Sequence, residues 1–285
     1  MKILVTGGAG MLGRTLRRVI ESRGHRFCCA DLPDWDITRA GELLDAVRAA
    51  APDQVIHCAA MTAVDLCESR PELAFGLNEG GSANVAAACA ELEIPLLAVS
   101  TDYVFSGNAG RPYREDDPAG DAMNVYGRSK FAGEQAVARL CPSALICRIG
   151  WLYGAGGPSF PHTMLKIARD MGRPVRVVDD QRGNPTSAMA AAEAMMMLIE
   201  KKAPAGIWHL TCSGEATWAE FARELYAICG IGREVIPVTT EEFPRPARRP
   251  PDSRLEKYML EKYGFPPMPH WRDALQEACR AGVFS

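Results

Sequence analysis

The stretch Thr6-Gly7-Gly8-Ala9-Gly10-Met11-Leu12-Gly13 constrains this chain more than any other, because of where it stands. An apolar run at residues 2–6 precedes it, and Leu12, Leu16, Val19 and Ile20 follow at helical spacing. The order is strand, tight turn, helix. Gly7, Gly10 and Gly13 satisfy Gly-x-x-Gly-x-x-Gly, and Gly8, Gly10 and Gly13 satisfy Gly-x-Gly-x-x-Gly. Glycine lets the backbone turn sharply and approach a pyrophosphate, and the helix start presents unpaired amides with a partial positive charge. A dinucleotide cofactor is the expectation. A glycine turn that serves only helix–strand packing shares the spacing, but its place after the first strand favours a ligand.

Short apolar runs at residues 27–30, 55–58, 95–99 and 144–147 continue the pattern, separated by helix-length segments such as 40–51 and 74–91. This alternation predicts an α/β fold, a Rossmann-type doubly wound parallel sheet. After about Trp151 the pattern loosens, with glycine and proline concentrated at residues 154–161 and 244–251. We expect a dinucleotide-binding domain over residues 1–152. A smaller, loop-rich substrate region would occupy 153–285, with some segments returning to the first domain. Residues 187–202, rich in alanine and methionine, read as a buried helix.

With 285 residues, 47% of them hydrophobic, the chain can bury a core of one large domain or two intimate ones. A net charge of −3 offers no field to gather nucleic acid or an anionic membrane, and neither partner is expected. The apolar run after Met1 ends within a few residues, and no stretch approaches the roughly 20 apolar residues of a spanning helix. A cytoplasmic protein is expected. Ten scattered cysteines without a Cys-x-x-Cys spacing read as reduced thiols, those at Cys28, Cys29 and Cys58 acting as small hydrophobes.

Tyr126 and Lys130 stand four residues apart where helical character begins, so they share a helix face. A phenol, whose ordinary pKa is about 10, relays a proton better when a cation stabilises its phenolate. Such a spacing is common on ordinary helices and gains meaning from Ser100-Thr101-Asp102-Tyr103, which ends an apolar run. Ligands of open parallel sheets bind at the carboxyl ends of strands. There Thr101 could hold a carbonyl oxygen beside Tyr126, although Ser-Thr-Asp also suits a plain turn. Asp31, at the end of the second apolar run, suits the ribose hydroxyls of NADH and repels a 2′-phosphate. Arg26 and Arg39 stand nearby, so NADPH stays open as well. Arg245, Arg248, Arg249 and Arg254 are candidates for a substrate diphosphate.

The glycine turn, the Ser-Thr-Asp strand end and Tyr-x-x-x-Lys in this order resemble the extended short-chain dehydrogenases. Within them, CAAMTAVDLCE (58–68), STDYVFSG (100–107), NVYGRSKFAGE (124–134), RIGWLYG (148–154), VVDDQRGNPTSA (177–188) and RPPDSRLE (249–256) resemble the dTDP-4-dehydrorhamnose reductases. These segments span nearly the whole chain. The resemblance implies reduction of a dTDP-linked 4-keto sugar by NADPH or NADH. It makes Tyr126 the proton donor, Lys130 the partner of the nicotinamide ribose, and Thr101 the third catalytic residue. It places Gly7, Gly10, Met11, Leu12, Gly13, Asp31, Asp36, Ile37, Ala60, Met61, Thr62 and Val99 at the cofactor, with Tyr126 and Lys130. Thr101, Asp102 and Trp151 fall at the sugar.

Two departures stand out from the pattern. Gly150 occupies a position that commonly carries a hydroxyl, and Ser159-Phe160-Pro161-His162 replaces an Asn-Phe-Val run. Some relatives form magnesium-bridged dimers through glutamates, one early in the first helix; Arg14 stands there, so no such metal is expected, while a homodimer stays open. Tyr103 replaces the glutamate that 4,6-dehydratases carry after Thr-Asp. An epimerase, a reductase of another nucleotide sugar, and the non-catalytic regulatory subunit of methionine adenosyltransferase share these motifs. Turnover by the lone chain separates the reductase from the regulatory subunit, whose mark is a stable complex with a synthetase.

Overall fold

In the computed structural model, which describes residues 1–170 and 174–284, Lys2–Thr6 (β1), Arg26–Ala30 (β2), Gln54–His57 (β3), Leu96–Thr101 (β4) and Leu145–Ile149 (β5) form one sheet with Gly206–His209. All neighbours run parallel, in the order Gly206–His209, β5, β4, β3, β1, β2. Every residue of β3 and β5 is buried, as expected of strands covered on both faces. The strand period of two splits β1 between two cores. Ile3 and Val5 face Met11–Ser22 (α1) and the helix Ala188–Glu200, while Leu4 faces Ala40–Ala50 (α2) and Ser82–Glu91. Because β2 and β3 flank β1 on opposite sides, the chain reverses direction across the sheet between β1 and β3. In open parallel sheets, ligands bind outside the strands' carboxyl ends at such a reversal.

A third core lies wholly within residues 153–284 and includes Tyr153, Leu165, Val177, Phe221, Leu225 and Trp271. Its strands come only in pairs: Val175–Val178 with Val235–Val238, Arg182–Gly183 with Ala216–Thr217, and Leu152–Tyr153 with Thr186–Ser187. Ala188–Glu200 and Gly206–His209 leave this region to join the first core and the main sheet.

One element departs from expectation. Residues 74–91 do not form one α-helix: a π-helical turn at Gly76–Gly81 interrupts them. Gly76, Gly80 and Gly81 weaken the regular helix, and the buried Asn78 side chain finds partners outside it. No helix among the described residues is long and apolar enough to cross a membrane.

Candidate active site

The glycine turn sits over the β1–β3 reversal. Gly7 has φ +67°, and a Cβ there would lie 2.7 Å from the Ala59 amide nitrogen just past β3. At Gly13 a side chain would run into the Gly7 carbonyl. The Gly7 amide donates to Ala30 at 3.0 Å and the Gly10 amide to Gly7 at 3.0 Å, which closes the turn. α1 then starts without a side-chain cap and without an acidic residue in its first turn. With no side chain capping its first amides, the helix start is a cradle that suits a pyrophosphate. Met11 and the buried Leu12 begin the helix.

Around this cradle stand the other residues assigned to the cofactor. Asp31 follows β2 and accepts from the Ala9 amide at 3.0 Å, tying the acidic corner to the glycine turn. Asp36 accepts from the Thr38 hydroxyl and amide, which hold its carboxyl below the usual range, with Arg39 adding to the effect. Ile37 is buried against Gly81. Past β3, Ala60 is half-buried, Met61 buried and Thr62 exposed. Asn78 grips Met61 at both ends, accepting from its amide at 2.8 Å and donating to its carbonyl at 3.1 Å. The same side-chain amide donates to Ser129 at 2.9 Å, so the π turn joins the loop after β3 to the helix Val125–Leu140.

That helix carries Tyr126 and Lys130. The Asn124 side chain caps it by accepting from Gly127 at 2.8 Å, and Glu68 accepts from Val125 at 2.7 Å. Lys130 is buried and donates to the carbonyl of Val99 at 2.7 Å, which pins the helix to the end of β4. Burial pulls its ammonium down to about 8, and Glu134 one turn away opposes that. His57 in β3 is held neutral near 3 by its burial and by the Lys130 charge. Thr101 ends β4, and its hydroxyl donates to Asp102 at 3.0 Å. Burial pushes the Tyr126 phenol up, while the nearby Thr101 hydroxyl pulls it down. The three residues assigned to catalysis meet in one place.

Asp102 is 2% exposed, and one carboxylate oxygen finds no partner among the described residues. Burial pushes its carboxyl up to about 6, opposed by the nearby hydroxyls of Ser253 and Thr101, of which Thr101 donates to the other oxygen at 3.0 Å. Gly150 lies directly behind it, where a Cβ would come within 2.6 Å of the Asp102 carboxyl carbon. The hydroxyl residue missing at position 150 thus leaves space that Asp102 fills. Trp151 comes next and stacks face to face on Trp218, ring centroids 3.4 Å apart.

The four arginines do not act alike. Asp65 accepts from Arg249 at 2.6 Å and lies 3.3 Å from Arg245, while Arg254 pairs with Asp252 and Glu215. Arg248 is exposed, with its side chain in no ion pair among the described residues. Residues that motif reading passed over include Asn78, Asp65, Trp218 and the buried pair Glu134–Arg148, joined at 2.9 and 2.7 Å. Only the glycines flanking Asn78 and the helical register of Glu134 with Lys130 hinted at any of them.

The family description "RmlD substrate binding domain" matches residues 1–283. A dTDP-4-dehydrorhamnose reductase of Streptomyces griseus is 42% identical over 281 residues, 96% of this chain and 92% of its own length. A crystal structure of a dTDP-4-dehydrorhamnose reductase from Clostridium acetobutylicum superposes with a TM-score of 0.95 at 38% identity, covering 99% of each chain. One from Bacillus anthracis, in complex with NADP, gives 0.95 at 34% identity, covering 98% of this chain and 99% of its own.

Proposed function

The chain belongs to the dTDP-4-dehydrorhamnose reductase family, and on that premise we propose that it reduces the C4 ketone of dTDP-4-dehydro-L-rhamnose to dTDP-L-rhamnose with NADPH or NADH. The observation that carries the reading is the convergence of Thr101, Tyr126 and Lys130 beside the glycine cradle. A dinucleotide fits that cradle: the uncapped start of α1 takes the pyrophosphate, and Gly7 and Gly13 let the turn close tightly against Ala59 and the Gly7 carbonyl beneath it. Gly10, Met11 and Leu12 would line it, Asp31, Asp36 and Ile37 the adenosine end, and Ala60, Met61, Thr62 and Val99 the path to the catalytic trio. Bound there, a nicotinamide supplies the hydride.

Thr101 and Tyr126 hold the substrate carbonyl oxygen with their hydroxyls, and Tyr126 Oη delivers the proton to that oxygen. The Lys130 ammonium lowers the cost of the phenolate left behind. Asp102 Oδ2, buried without a partner, accepts from a sugar hydroxyl, and Trp151 covers the apolar face of the ring. Residues 1–152 hold the dinucleotide and 153–285 most of the sugar nucleotide, with Arg248 free to meet its diphosphate.

Oxidation of NADH and NADPH by the purified chain, with dTDP-4-dehydro-L-rhamnose generated in situ, tests this. Tyr126→Phe should lose about a hundredfold or more in kcat with both ligands still bound. Full turnover in that variant overturns the assignment.

A further inference from the structure

Among the described residues, four other than glycine have positive φ: Ala51, Glu93, Trp151 and Lys202. Ala51 and Lys202 close helices, and Glu93 follows one within two residues. Trp151, at +49°, instead joins β5 to the short strand Leu152–Tyr153 inside the candidate site. A bulky side chain holds that backbone only where its surroundings impose it.

The contacts on its ring and carbonyl come from beyond residue 151. Trp218 lies parallel to Trp151 at 3.4 Å, Phe160 packs on Trp218 at 4.7 Å, and the Trp218 ring nitrogen donates to Gln181 at 3.1 Å. The backbone of Gly183 passes so close to the Trp151 indole that a Cβ would overlap it. Thr186 donates its amide to the Trp151 carbonyl at 3.1 Å. Trp218 itself is placed by a capping box, in which Thr217 accepts from Glu220 at 3.1 Å and donates its amide to Glu220 at 2.8 Å. Just before Trp151, Gly150 lies so close to Asp102 that a Cβ there would overlap the Asp102 carboxyl.

We propose that Trp218 is a positioning residue for the sugar: its indole, with Gly183, holds Trp151 in the orientation that closes the pocket beside Asp102. The C-terminal region thereby sets sugar affinity through an aromatic stack while the dinucleotide cradle is unaffected. The inference rests on the reductase reading for the ligand class, a nucleotide-linked hexose, and on the stack for the role of Trp218.

The test compares wild type, Trp218→Ala, Trp218→Phe and Gly183→Ala in NADPH binding, thermal melting, sugar kinetics, and calorimetric binding of dTDP-L-rhamnose against dTDP alone. In Trp218→Ala the sugar KM should rise about tenfold and the affinity gained from the hexose should shrink by the same factor, with NADPH affinity within twofold. Trp218→Phe, which keeps a flat ring, should recover most of both. Should Trp218→Ala fail to fold, Gly183→Ala displaces Trp151 directly and should show the same split. Unchanged sugar KM and hexose increment in a folded variant, or an equal loss of NADPH affinity, overturns the proposal. A wild-type chain without turnover whose hexose increment still depends on Trp218 overturns the reductase reading instead. No hexose increment in the wild type overturns both.

Discussion

The carboxyl edge of the main sheet and the C-terminal region reach the same site by different means. Along the edge, each group leaves the end of a regular strand: Gly7 after β1, Asp31 after β2, Ala59 after β3, Thr101 closing β4, Gly150 after β5. The C-terminal region has strands of two to four residues in pairs, and side chains hold it in place. Asn184 donates to the Gly214 carbonyl at 2.6 Å and accepts from Leu255 at 2.7 Å, Gln181 holds Trp218, and Asp65 holds Arg249. A hydrogen-bonded ladder distributes position over many residues, whereas a side-chain contact concentrates it in one. Single substitutions should therefore separate the two regions by ligand, the edge acting first on the cofactor and the other on the sugar.

The largest effect should come from Gly7→Ala. It pairs a left-handed backbone, a strain of about 1–3 kcal/mol, with a side chain driven against Ala59, and should weaken NADPH binding tens-fold and lower the melting temperature. A fluorescence titration and a melting curve measure both; unaltered NADPH affinity would break the comparison at its strongest point. Next comes the pH profile. With Lys130 drawn down to about 8, its ammonium is lost as pH rises through that value, so kcat/KM should fall tenfold per unit above it. Arginine, ionised to above about 12, should abolish the break in Lys130→Arg even where activity is lower. A break that persists in that variant belongs to another group.

Gly150→Ala sharpens the comparison from the sugar side. Its Cβ displaces the Asp102 carboxyl, and the sugar KM should rise about tenfold with NADPH affinity unchanged. The smallest effect belongs to Asp65→Asn, which frees Arg245 and Arg249 from a half-exposed carboxylate of modest worth, about 0.5 kcal/mol. A two- to threefold change in sugar KM, about what that energy allows, would place these arginines near the diphosphate. No change in steady-state kinetics would leave Arg248 as the cation that matters.

Legibility follows the same division. Glycine spacing, the Ser-Thr-Asp strand end and Tyr126 four before Lys130 are local signals, each carried by one element and its end, and the structure brings all three together. Asn78 escaped because its partners, Met61 and Ser129, lie 17 and 51 residues away, and the π turn that aims it passes for plain helix in an alanine-rich stretch. Of the arginine cluster, charge alone was visible. Arg249 and Arg254 turn out to be occupied by Asp65, Asp252 and Glu215, carboxylates that only folding brings near or orients. Trp151 was assigned to the sugar through family resemblance, yet its left-handed backbone and its partner Trp218 have no sequence mark.

By itself the sequence determined the strand–turn–helix cradle, the alternation that makes a parallel sheet, and the pairing of a phenol with an ammonium on one helix face. Periodicity and turn chemistry act within a dozen residues, and they need no knowledge of the fold. Tertiary structure alone decided that Asp102 would be buried with an oxygen to spare against Gly150, that Lys130 would be buried with its ammonium on the Val99 carbonyl, and that Trp151 would be clamped by Trp218. Each depends on groups from separate elements meeting in a space where water is excluded. There, burial sets the charge state of each group and packing its direction.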